Sequence, residues 1–277
     1  MLTIAALTLK ETLRRRAPFM TLLVAVLLIV PAFIPITGPL KLLPPDEANR
    51  IVASLYTFLS VDIVKFFVST LGIALSAGAI SAELERGVLS SILPKPISRF
   101  SVYAGKWLGL FGFCVLNLLI WCAVIWAIAT YRSPDTSHRA LWNAVPYLLF
   151  YPAVFVSVGL TYSTFAGFGL AAGLSIITAG VGWSEGIFYL LYQRLGVQLL
   201  GTLSKASGYL FPLGRMSRWV SEGLGPLPSY GGGSGGNIGD RSPFKDLEAV
   251  PADLLYLAFF IAMVFGVGAV ILGRRDV

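Results

Sequence analysis

Apolar residues run along this chain in long stretches, with the charged residues gathered between them. Intervals free of Asp, Glu, Lys and Arg cover 17–40, 66–82, 107–131, 140–184 and 254–273. A helix needs about 20 residues to cross the hydrocarbon core, within roughly 17–25. Four intervals have the length of one such helix. The interval 140–184 has 45 residues, the length of two helices joined by a tight turn at 163–169, STFAGFG. The pattern therefore predicts an all-α integral membrane protein, a single transmembrane domain over 1–277. Six transmembrane helices are expected at about 17–36, 63–82, 106–130, 143–163, 168–192 and 251–272. A short N-terminal helix at 1–16 and a long outer loop at 193–250 complete the layout.

Two polar interruptions have a pattern of their own. In ELERGVLSSILPKPISR, residues 83–99, Leu84, Val88, Leu89 and Ile92 form one stripe on a helical wheel, with Glu83, Arg86 and Ser90 opposite. Pro94 and Pro96 end that helix, because each lacks a backbone donor and restricts the residue before it. A helix over 83–93 is some 16 Å long at 1.5 Å per residue, too short to cross a membrane. The stretch LLGTLSKASGYLFPLGRMSRW, 199–219, mixes apolar and basic residues like a helix lying on the membrane surface. The run GGGSGGNIGD after it reads as a flexible loop, since it lacks the Lys-Ser/Thr ending of a phosphate-binding loop and follows no strand.

Composition settles the class. Hydrophobic residues make up 56% of the 277 and charged residues only 13%, half the charge of an ordinary soluble domain. The net charge of +7 sits in clusters beside apolar runs rather than in one stripe. It therefore points to topology signalling and anionic lipid, not to nucleic acid. With the N-terminus inside, Lys10, Arg14, Arg15, Arg16, Arg86, Lys95, Arg99, Lys106, Arg274 and Arg275 are inside, and Lys41, Arg50, Lys65, Arg132 and Arg139 lie in short outer segments. Ten against five predicts N-in and C-in, with 83–99 cytoplasmic and the protein multi-pass in a plasma (inner) membrane. The six basic residues of 193–250 run against this count, and long loops cross largely regardless of charge. Arg14–Arg16 before an apolar run resemble a signal peptide, but no small-x-small site follows, so a retained first helix is expected.

Catalytic chemistry has no constellation here. His138 is the one histidine, and Cys114 and Cys122 fall eight apart in one apolar run, which suits buried packing and leaves no metal set. No Walker A loop or Gly-x-Ser-x-Gly elbow is present, so ATP binding by this chain is not expected. Four polar positions near apolar runs are candidate pathway or portal residues. Asp62 and Lys65, three apart, share a helix face before the second span, as an interfacial ion pair or a portal. Asn117 sits in the third span, where interhelical bonding is the simple role. Glu185 lies at membrane depth if the fifth helix extends to Gln193, and caps an outer turn if it ends near Gly182.

The stretch 80–109, ISAELERGVLSSILPKPISRFSVYAGKWLG, resembles the signature region of ABC-2-type permeases, the membrane subunits of ABC exporters. The matching residues are Glu83, Glu85, Gly87, Leu89, Pro96, Ser98, Arg99, Gly105 and Lys106, with Val88 where Thr is common. FPLGRMSRW and the terminal GRRDV are similar to family features more weakly. The resemblance implies that 83–99 is a coupling helix docked on a separate ATPase subunit. Leu89 and Ile92 would be its anchors, and Glu83, Glu85 and Arg86 would set register. It also implies ATP and Mg on that partner with no cofactor on this chain, a second permease copy or a related chain, and an N-terminal connecting helix. An accessory protein in the outer compartment is a further candidate partner. Against an exporter subunit stand three rivals: a secondary transporter or channel, which calls for charged or broken spans in matched halves; a membrane enzyme, which needs a catalytic set; and an ATPase-linked complex member that signals or extracts.

Overall fold

The computed structural model describes residues 1–14, 17–33, 43–85, 98–134, 138–225 and 250–274, and all regular elements among them are helical. They are α1 Leu2–Arg14, α2 Ala17–Ile29 with a 3-10 turn at Val30–Phe33, α3 Pro45–Ser76, α4 Ser81–Glu85, α5 Arg99–Arg132, α6 Arg139–Leu148, α7 Phe150–Ser163, α8 Phe168–Leu195, α9 Gln198–Leu210, α10 Leu213–Leu224 and α11 Pro251–Arg274. Among the described residues, five stretches are long and apolar enough to cross a membrane: Pro45–Glu83, Arg99–Arg132, Arg139–Ser163, Phe168–Leu195 and Pro251–Arg274. The architecture is that of a multi-pass membrane protein.

Helix lengths differ from the apolar ruler for local reasons. The first expected span, 17–36, is α2, whose 13 residues reach only about 20 Å, short of a hydrocarbon core of about 30 Å. The α-helix tightens at Val30–Phe33, where Pro31 has no N–H to continue the ladder. Residues 34–36 lie outside the described residues. The second span is longer than expected, not shorter. Its helix begins at Pro45, with Pro at its first position and Asp46 and Glu47 in its first turn, both favourable at a helix N-terminus. Asp62 and Lys65 therefore sit inside α3 rather than before a span. The expected coupling helix, 83–93, falls outside the described residues apart from α4.

The fourth span is divided at Leu149 into α6 and α7, where Pro146 and Pro152 each remove a backbone donor. Its second half, α7, is the axis of the bundle. The apolar window of this span is 78% buried, against 28% for α8 and 17% for α11. α7 packs on α3, α11, α8 and α5, and the outer faces of α2, α8 and α11 carry exposed Leu, Ile, Val and Phe, as lipid-facing surfaces do.

α1 and α2 run parallel to α5 along its length. Met1 and Ile4 face Gly105, Ala5 and Thr8 face Gly109, Thr21 bonds Asn117, and the Ala32 carbonyl accepts from Arg132. A Cβ at Gly105 would sit 2.8 Å from Ile4 Cβ, and one at Gly109 2.7 Å from Ala5 O. The Gly105-x-x-x-Gly109 pair thus lets two backbones approach, as small residues do between membrane helices. α1 is fastened to the bundle rather than standing off it.

The region expected as an outer loop carries two helices, α9 and α10, packed on α8 and α6. α8 ends at Gly196, whose left-handed backbone (φ 67°) reverses the chain. α9 then returns antiparallel along α8: Gly201 lies against Tyr192 and Gly208 against the Glu185 carboxylate, and Ser204 Oγ donates to the Glu185 carbonyl at 2.9 Å. Phe211 and Pro212 break the helix, and Phe211, fully buried, rests against Gly182 halfway along α8. α10 turns away again and packs on α6. The stretch 199–219 is not one helix but parts of two, because the Phe-Pro break folds it at Phe211, which is buried.

Candidate functional site

The contacts gather polar side chains at two ends of the bundle. At the first end lie the edges of the 83–99 stretch. α4 carries Glu83, whose carboxylate accepts from Lys106 Nζ at 2.5 Å. The same ammonium donates to the Ala79 carbonyl at 2.8 Å, and the Lys106 side chain is only 7% exposed. Glu85 is the last residue of α4. Ser98 is the N-cap of α5, its hydroxyl accepting from the Ser101 N–H at 3.2 Å, which satisfies one free donor of that helix. Arg99 opens α5 and donates to the carbonyls of Leu272 (3.5 Å) and Gly273 (3.3 Å) at the end of α11. These contacts place Met1, the α3–α4 connection, the start of α5 and the end of α11 at one end of the bundle. Arg86, Gly87, Leu89, Ile92 and Pro96 lie outside the described residues.

At the other end the polar groups converge on α10. Lys65 is ion-paired with Asp62 and donates to Ser217 Oγ on α10 at 3.4 Å; the lysine side chain is 15% exposed and the aspartate 67%. Because α8 continues to Leu195, Glu185 lies 17 residues into it, about 26 Å along the axis, and is buried. Its Oε2 accepts from the Gly214 N–H at 3.1 Å, and its Oε1 is 3.8 Å from Arg218. Arg218 also faces Asp253 at 3.6 Å, which pairs with Arg215 at 3.4 Å. Arg215 in turn stands over the rings of Tyr209 and Tyr256, 4.9 and 4.1 Å from their centroids. Two anions and two cations thus neutralise one another where α8, α9, α10 and α11 meet, an arrangement that buried charges require.

Asn117 belongs to neither end. It is buried on α5, donates to the Phe113 carbonyl at 2.7 Å and accepts from Thr21 on α2, while Trp121 one turn on donates to the Thr21 carbonyl at 3.0 Å. Both residues tie α2 to α5.

Sequence reasoning missed Lys106 as the partner of Glu83, and Arg215, Arg218 and Asp253 as the partners of Glu185. The spacing of Arg215 and Arg218, three apart on one helix face, was visible in RMSR. Its pairing with a carboxylate 33 residues away in the chain was not.

No curated protein matches this chain. A family model described as ABC-2 family transporter protein matches residues 2–277, a span that takes in both polar ends and every helix between them. The chain therefore belongs to the ABC-2 transporter family, as a membrane-embedded permease component.

Proposed function

We infer that this chain is the membrane-spanning permease subunit of an ATP-driven exporter, worked by a separate ATPase that docks on residues 83–99. ABC-2 permeases pair with ATPase subunits, and 83–99 is the stretch whose sequence, polar and closed by Pro94 and Pro96, resembles the segment such a partner docks on. The observation that carries the reading is the way both edges of that stretch are held. Glu83 is tied to Lys106 on α5, and Arg99 to the last carbonyls of α11. A push on the segment between them therefore reaches three long helices. N-in and C-in topology puts this end in the cytoplasm, where ATP and Mg on the partner supply energy. A second permease copy or a related chain encloses the pathway. Asp62, Lys65 and Glu185 at the opposite end stand at its outer portal, with α10 touching Lys65 through Ser217 and Glu185 through Gly214 and Arg218.

Purification of the full chain from its membranes tests this reading. Wild type is expected to bring down an ATPase subunit, and Glu85→Lys or Gly87→Pro to lose it or to leave it bound without transport. Substrate movement by the wild-type chain alone, with no nucleotide-binding partner, would overturn it.

A further inference from the structure

Between α3 and α4 regular helix gives way to turns at 77–80, near the end of a stretch, Pro45–Glu83, that is otherwise one long helix. A break inside a membrane span leaves backbone donors and acceptors with no water to receive them, so each must find a partner in the protein. Some do so locally: Ala79 N–H donates to the Ser76 carbonyl at 3.1 Å, Ala82 N–H to Gly78 at 3.2 Å and Glu83 N–H to Ile80 at 3.1 Å. Ala77 likewise bonds within its own stretch, its N–H donating to the Ile73 carbonyl at 2.9 Å and its carbonyl accepting from Ser81 Oγ at 3.4 Å. Three further groups are met by two side chains from other helices. Ser163 Oγ, on the last residue of α7, accepts from both the Ile80 and the Ser81 N–H at 3.0 Å. Lys106 Nζ, on α5, donates to the Ala79 carbonyl at 2.8 Å while holding Glu83. Ile80, Ser81, Ser163 and Lys106 are all buried, and Gly78 lets the Phe168 ring of α8 close over the turn, since a Cβ there would stand 2.9 Å from it.

A flexible break would serve to absorb motion. This one is bolted, with one side-chain bolt to α5 and one to α7. We propose that Lys106 and Ser163 are positioning residues for coupling: they lock the 77–80 break into a rigid joint, so that displacement of the 83–99 segment is passed to α5 and α7 instead of being lost by bending of α3. The inference rests on the ATPase-partnered reading and adds to it the two residues through which the force enters the bundle. Lys106 acts on both sides of the segment at once, because its own helix begins at Arg99. Ser163 carries the movement into the central helix, whose preceding half, α6, packs on α10 at the far end.

The test uses the chain with its ATPase in lipid nanodiscs, followed by amide hydrogen exchange with and without a non-hydrolysable ATP analogue and Mg. In wild type, nucleotide is expected to change exchange at least threefold in 139–148 and 213–224, far from the docking segment. Ser163→Ala should raise exchange at Ile80 and Ser81 at least tenfold while the ATPase stays bound. Lys106→Met should abolish the nucleotide-dependent change at the far end with the ATPase still bound, and Lys106→Arg should restore most of it. A merely structural lysine would not separate binding from transmission in this way. If Lys106→Met does not yield folded protein, Ser163→Ala decides by the same far-end readout. Far-end changes in the variants equal to those of wild type would overturn the proposal. If wild type itself holds no ATPase, the proposed function falls first, and the coupling role of the joint with it.

Discussion

Replacing Arg218 with leucine is expected to destabilise the folded chain by about 3–5 kcal/mol, the penalty for leaving a buried carboxylate without its cation. Arg218 is 10% exposed and stands between Glu185 and Asp253. Asp253 keeps its ion pair with Arg215 when Arg218 is removed, so Glu185 takes the larger part of the loss, retaining the Gly214 N–H and the weaker attraction of Arg215. Glu185→Gln in the same background should recover part of it. The double variant is then less destabilised than the sum of the single ones by about 0.5–3 kcal/mol, as for residues within one network. Unfolding titrations of the purified chain in detergent micelles, followed by circular dichroism, give all four values. Strict additivity would show that the two groups do not act as a pair.

The second large effect is expected from a glycine. A Cβ at Gly214 would be built into the Glu185 carboxylate, and one at Gly208 would lie 2.7 Å from it. Gly214→Val should destabilise by about 1–3 kcal/mol through overpacking alone. A further loss follows because the carboxylate must leave the Gly214 N–H. Gly173, on α8, meets nothing within 4 Å. Gly173→Ala should therefore stabilise by about 0.5–1 kcal/mol, the ordinary gain of alanine over glycine inside a helix. The opposite signs distinguish a glycine required by close approach from one that is not. Equal effects in the same unfolding titration would contradict the packing of α9 and α10 against Glu185.

What could be read in the sequence was what depends on composition and short-range order. Uncharged runs marked a multi-pass membrane protein, and ISAELERGVLSSILPKPISRFSVYAGKWLG marked an ABC-2 permease. The limits came from using charge as the ruler. Asp46, Glu47, Arg50, Asp62 and Lys65 delay the start of the expected second span to residue 63, although Pro45 followed by two acids is a helix start, and α3 runs through all five positions. The six basic residues of 193–250 were set aside as loop charge, yet Arg215 and Arg218 are the buried partners of Glu185 and Asp253. Pairings of this kind join residues tens of positions apart, and nothing local announces them. Ser163 is the clearest instance. It looked like the first residue of a turn, and its hydroxyl instead completes a helix break 82 residues earlier.

The most direct test of an ATPase-driven permease is a photocrosslink from the docking segment itself. A benzoylphenylalanine placed at position 89 of the full-length chain, activated in intact membranes, should give an adduct with a subunit carrying a nucleotide-binding domain, identified by mass spectrometry. The same group at position 209, exposed beside the Arg215 cluster and away from the docking segment, should give none. An ATPase adduct from 209 instead of 89, or no adduct from 89 while the chain remains active, would contradict the central claim.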